Sequence, residues 1–175
     1  ADPYRQVDML TIMSLFQQVA DHTDRPDIGL ELGLSVDLQQ MGPFGFLFMN
    51  APTVGHALSD FIRYGPVFQT QAHFGLRHVR NQFCVEYSSN HPEMPGWEID
   101  GEVTVAYIMG IVNGLVGKFI VPATIHMDHL PICKAAQYVR FLKIKPAFGR
   151  RLNRIFYPLA LLNEPVSGAN PHLYG

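Results

Sequence analysis

From Val7 to Val19 the apolar residues Val7, Leu10, Met13, Leu15, Phe16 and Val19 recur largely three or four positions apart, the spacing of one helical face. Asp8 can cap or complement the amino end of that helix. The pattern predicts a stop near Thr23-Asp24-Arg25-Pro26, a short second helix from Pro26-Asp27 through Glu31, and an end at Gly33. A compact helical turn follows from Gly42 to Met49, where two glycines let Phe44, Phe46 and Phe48 approach backbone closely. Thr53 has the chemistry of an N-cap for a helix through Tyr64, with Val54, Ala57, Leu58, Phe61 and Ile62 as its buried stripe.

The period then changes. Phe74, Leu76 and His78 alternate with Gly75 and Arg77, and Phe83, Val85 and Tyr87 alternate with Cys84 and Glu86, which predicts an antiparallel hairpin. A Pro-bearing loop, Asn90 to Gly96, leads to Trp97. Val103 to Val116 is apolar nearly all round, with Glu98, Asp100 and Glu102 before it and Lys118 after it, charges that suit the two ends of a helix dipole. That stretch falls short of the roughly 20 residues a bilayer requires, so a buried central helix is expected and no membrane partner. Ala123 to Asp128 reads as a strand with Ile125 and Met127 on one face. Pro131 opens a helix through Leu142, and short extended pieces run from Lys145 to Phe148 and from Asn153 to Tyr157. Together these predict an α+β fold: several helices around a long buried helix, with a small antiparallel sheet. Residues 1–165 are expected to form one domain, and the polar Gly- and Pro-bearing residues 166–175 to begin a linker.

Composition sharpens this picture. Hydrophobic residues make up 47% of the 175 and charged residues 16%, with twelve Phe, seven Tyr and one Trp, which excludes disorder and implies much to bury. The net charge of −2 argues against a free-standing nucleic-acid binder. It conceals an asymmetry: residues 1–102 carry 5 basic and 13 acidic side chains, whereas residues 103–175 carry 8 basic and 2 acidic. A positive surface is expected in the last third, either as a solvated face complementing the acidic front or as a partner surface. Two cysteines, Cys84 and Cys133, cannot build a disulfide scaffold, so a reduced, cytoplasmic setting is the expectation. Ala1 to Arg5 lacks the layout of a signal peptide and reads as a piece cut from a longer chain.

Reaction chemistry is thinly represented. His126-x-x-His129-x-x-x-Cys133 has metal-like spacing but supplies three ligands where a structural zinc takes four. The alternative is that both histidines satisfy backbone groups and Cys133 packs as a small hydrophobe. A thiol nucleophile built from Cys133, His129 and Asp128 is a further alternative, and with the metal it frames a hydrolase reading. Gly-x-Ser-x-Gly, the phosphate-binding and dinucleotide-binding glycine loops, and His-Glu-x-x-His are absent. What remains is an aromatic-rich interior able to line a pocket in which a polar group fixes a ligand. Its expected lining is Phe46, Arg63, Tyr64, Phe74, Arg77, Tyr87, Tyr107 and His126, with no cofactor, no metal and no catalytic residue.

The succession Asp27-Ile28-Gly29-Leu30-Glu31-Leu32-Gly33, then Gly42-Pro43-Phe44-Gly45-Phe46, then Ala51 to Leu58 with Arg63-Tyr64, resembles the amino-terminal effector domain of AraC-type transcription regulators, the domain called arabinose-binding-like. Ile125-His126, Pro131, Tyr138, Phe141 to Phe148 and Asn153-Arg154-Ile155-Phe156 agree, so the likeness spans about Val7 to Val166. The resemblance implies a cytoplasmic, non-enzymatic sensor that binds a small effector and forms a homodimer. It also implies that DNA is bound only through a carboxy-terminal pair of helix-turn-helix motifs outside these residues. A partly apolar effector with an anionic group is expected, because Arg63, Arg77 and the basic third offer charge-assisted partners. It would enter between the central helix and the hairpin. An interaction domain with a filled core and no ligand is the competing reading.

Overall fold

The computed structural model describes residues 8–69 and 71–174. Val7, the first residue of the helical stripe, and the Ala1–Arg5 stretch lie outside them. The elements in chain order are α1 (Met9–Thr23), α2 (Ile28–Leu34), a 3-10 turn (Leu38–Met41), α3 (Gly42–Asn50), α4 (Val54–Phe68), β1 (Ala72–Val79), β2 (Gln82–Ser89), α5 (Trp97–Val116), β3 (Thr124–His126), α6 (Ala135–Leu142) and β4 (Asn153–Pro158). Two further 3-10 turns, Leu159–Asn163 and Pro171–Leu173, follow. The class is α+β, as the alternation of periods predicts.

The sheet is antiparallel with strand order β1-β2-β4-β3. Phe83, Val85 and Tyr87 of β2 face the helices together with Ile155 and Tyr157 of β4, all essentially without exposure. The opposite face carries Arg77, Cys84, Glu86, Arg154 and Phe156. Glu86 is buried there beneath two guanidinium groups: Arg77 Nε donates to Oε2 at 2.5 Å and Arg154 Nε to Oε1 at 2.7 Å. Burial alone would raise the Glu86 pKa, but these two cations outweigh it and hold the carboxyl below its ordinary value.

Helix α5 runs through the centre, and two expectations about it need correction. It starts at Trp97, six residues before Val103, so Asp100 and Glu102 are helical residues buried at 2% and 0% exposure rather than charges solvated ahead of it. At 20 residues it is also long and apolar enough to cross a membrane by length and composition, so the length argument fails. Its burial inside the fold is what marks it as a core helix.

Gly33 does not end α2 but lies inside it, because the helix must come close to α5: a Cβ at Gly33 would stand 2.3 Å from the Val103 carbonyl oxygen, and one at Gly29 2.9 Å from that of Ile99. In α1 the inward face is set by Met13 and Ala20, and Leu15, expected inside, is 55% exposed. Asp8 makes no side-chain cap bond. Helix α4 passes Tyr64 and carries Pro66 in its last turn, where the lost N–H breaks only one bond near the end. Its N-cap is Thr53, as its chemistry suggests. The helix expected from Pro131 begins only at Ala135, with the Gln137 side chain accepting from the Lys134 N–H at 2.9 Å. The piece from Lys145 to Phe148 contributes one bridge, Ala147 to His126, and no strand of its own.

Residues 166–174 fold back onto the domain. Val166 is buried, Ser167 N donates to the Leu115 carbonyl at 2.7 Å, Asn170 N donates to Asn50 Oδ1 at 3.2 Å, and the Tyr174 hydroxyl donates to Asp60 Oδ2 at 2.6 Å.

Candidate ligand-binding cavity

A cavity of about 250 Å³, partly open to solvent, lies where α1, the end of α4, β1 and the first half of α5 meet. Helix α1 supplies Met9, Ile12 and Phe16 as one wall. Phe61 and Gly65 come from α4, Phe74 from β1, and Val103, Thr104 and Tyr107 from α5. The rings set its shape: Phe61 meets Phe74 edge-on at 5.3 Å between centroids and leans on Tyr107 at 6.5 Å. Gly65 is small because Phe74 is close, 3.1 Å from where a Cβ would stand.

Among the described residues Asp100 is the one formally charged side chain in this lining. The Tyr87 hydroxyl, projecting from β2 behind Phe74, donates to its Oδ2, and Gln69 Nε2 in turn donates to the Tyr87 oxygen at 3.2 Å. Desolvation pushes the Asp100 carboxyl up to about 6, against the lowering effect of the Tyr87 bond and with some help from the negative charge of Asp128. Burial likewise raises Tyr107, and raises Tyr87 with the adjacent carboxylate adding to it. The cavity is thus an aromatic box with one carboxyl held in place by a relay of neutral hydrogen bonds.

Three of the eight residues expected to line a pocket come together here: Phe74 and Tyr107 in the wall and Tyr87 immediately behind it. Five lie elsewhere. Phe46 is 50% exposed on α3. Tyr64 packs against Phe44 at 5.9 Å and Arg63 is exposed beside it, on a face of α4 turned toward Tyr174. Arg77 is on the outer face of the sheet with Glu86, and His126 is on the same sheet against Phe156 at 4.9 Å. The expected position of a pocket, between the central helix and the hairpin, agrees with α5 and β1 as walls; α1 and α4 complete it.

Sequence reasoning missed Asp100. Counted from Trp97, Asp100 shares a face with Thr104, Tyr107 and Ile111, and Glu102 shares one with Ile99, Val105 and Met109. Extending the apolar pattern back over Ile99 would have placed both carboxyls inside.

The other candidates disperse. Among the described residues no three His, Cys, Asp or Glu side chains stand close enough to hold one metal ion. His129 is buried with Nδ1 on the Leu130 carbonyl at 2.7 Å and its ring edge-on to Trp97 and Phe148. Burial lowers the His129 pKa and pushes the Cys133 thiol up to about 11, the reverse of what a thiolate nucleophile requires. Of the basic residues in the last third, Lys134, Arg140, Lys143, Lys145, Arg150 and Arg151 are exposed, and among the described residues none of these six forms an ion pair.

Comparison with known proteins gives a consistent likeness. Residues 1–166 match the family model described as the arabinose-binding domain of AraC transcription regulator, N-terminal. The chain is 26% identical over 160 residues to the uncharacterized HTH-type transcriptional regulators Mb1430 of Mycobacterium bovis and Rv1395 of Mycobacterium tuberculosis, covering 85% of this chain and 44% of each of those. In structure it is similar to the transcriptional regulator CdpR from Pseudomonas aeruginosa, with a TM-score of 0.73 at 18% identity over 85% of this chain and 49% of that one. The chain therefore spans about half the length of the proteins it matches.

Proposed function

This chain belongs to the family of arabinose-binding-type amino-terminal domains of AraC transcription regulators, and from that premise we propose that it is the effector-sensing and dimerisation part of such a regulator. The cavity bounded by Phe61, Phe74, Tyr107 and Asp100 is the observation that carries the reading. It has the form of a small-molecule site: mostly apolar walls, few polar groups, and a position between elements far apart in sequence. In this reading a small effector binds there, a homodimer presents paired DNA-binding domains, and the reaction chemistry of an enzyme has no part. The cell compartment that follows is the cytoplasm, where a DNA-binding partner domain works.

An effector switches such a protein only through unequal affinity for two arrangements. The cavity is well placed for this, because α1 and α4 are outer elements whose packing on α5 closes it. Thermal unfolding against a metabolite panel tests the reading: a true effector raises the midpoint of the wild-type chain and leaves that of Ile12→Trp, which fills the cavity from α1, unchanged. Native mass spectrometry checks the dimer. A panel that shifts neither protein, with only monomer observed, supports an interaction domain with a filled core instead.

A further inference from the structure

Among the described residues the expected anionic effector finds no partner in the cavity: Arg63 and Arg77 lie outside it, and none of the lining residues is Lys, Arg or His. What the lining offers is a carboxyl, Asp100, at 2% exposure. Its Oδ2 accepts the Tyr87 hydroxyl, and among the described residues no donor reaches its other oxygen. Buried carboxylates are ordinarily paired with a cation or several donors, because an unpaired one forfeits its hydration. Among the described residues the groups facing Asp100 are Tyr87 from β2, Gln69 from the end of α4, Thr104 and Tyr107 from α5, and Asp128 at longer range; none of these is a cation.

We propose that the cavity takes a small amine, a compact apolar body with one ammonium group that docks on the free oxygen of Asp100 between the rings of Phe61, Phe74 and Tyr107. This rests on the reading of the cavity as an effector site and names the class of effector. Three considerations support it. The desolvation of Asp100 is incurred on folding, so the ligand meets a carboxylate already fixed by Tyr87 and loses less on binding than two free ions would. The surrounding aromatic faces attract a cation and leave an anion unstabilised. The volume of about 250 Å³ corresponds to roughly eight waters' share of liquid, which suits a single ring or a short alkyl chain beside the carboxyl.

Titration calorimetry of the chain with 2-phenylethylamine, its neutral counterpart 2-phenylethanol and the anion phenylacetate tests this. The amine is expected to bind about tenfold or more tightly than the alcohol, and phenylacetate least. Asp100→Asn, which keeps an acceptor for Tyr87, is expected to bring amine and alcohol to equal affinity. Should that variant fail to fold, the wild-type chain still decides the matter: acidification to below about pH 5 protonates Asp100 while the ammonium stays charged, and the advantage of the amine is expected to shrink. Equal or tighter binding of the alcohol or phenylacetate, or an advantage that survives both Asp100→Asn and acidification, overturns the amine and leaves the effector site standing. Silence of all three ligands overturns the amine as well, and the effector site is then decided by the metabolite panel.

Discussion

At the scale of single residues the carboxyl of Glu102 is the most exacting feature. It has no exposure, accepts from the Tyr138 hydroxyl at 2.5 Å on Oε1, and among the described residues its Oε2 meets no donor. Burial pushes its pKa from 4.5 up to about 8, with Asp27 and Glu98 adding to the effect against the Tyr138 bond. Between those values the folded chain keeps a proton that the unfolded chain has lost. Stability therefore falls as pH rises through that window and is fully present below it. Glu102→Gln is expected to flatten this slope and to be more stable than wild type near pH 8 by about 2 to 4 kcal/mol, at about 1.4 kcal/mol per pKa unit, measured by urea unfolding at several pH values. Glu86 works in the opposite direction. Its lowered pKa contributes stability above the ordinary 4.5 that is lost as pH falls through the folded value. Because Arg77 is 68% exposed, solvent screens that bond, and Arg77→Ala is expected to lower the urea midpoint at neutral pH only slightly.

Elements were legible where one short-range period governed them. The hairpin shows in Phe74 to Tyr87 because strand alternation needs no distant partner, and its two-residue turn at Arg80-Asn81 follows from the register Val79 to Gln82. Helix ends set by tertiary approach were not legible. Gly33 has the look of a terminator, yet α2 continues through it because the backbone of α5 takes the room a side chain would fill. Gly33→Ala is accordingly expected to destabilise by about 2 kcal/mol or more, through overpacking, with the denaturation midpoint lowered and the slope of the transition unchanged. The effect would be the reverse of the gain that alanine brings to an ordinary helical position.

For the whole molecule, the α+β class and the family were within reach of the sequence, because both depend on the order of motifs from Asp27 to Phe156. The site was not. Its walls come from positions as far apart as Ile12 and Tyr107, and the residue types that line it, Phe, Val and Thr, are those of any core. Of the expected rings, Phe74 and Tyr107 stand in the cavity wall and Tyr87 lies behind it; which rings and cations gather there depends on the third dimension. The basic residues of the last third carry a prediction at this scale. With Lys134, Arg140, Lys143, Lys145, Arg150 and Arg151 exposed, neutralising Arg150 and Arg151 together to Gln is expected to change stability by no more than about 0.5 kcal/mol while weakening retention on a cation-exchange resin.

The return of residues 166–174 has a mechanical side. Tyr174 is tied to Asp60, one residue before Phe61 on α4, and Gly65 lies one turn further along the same helix. Helix α4 is thus a strut with the wall of a chamber on one side and the anchorage of a rope on the other. A change at either attachment, such as Tyr174→Phe or a bulkier residue at Gly65, therefore acts on one and the same helix.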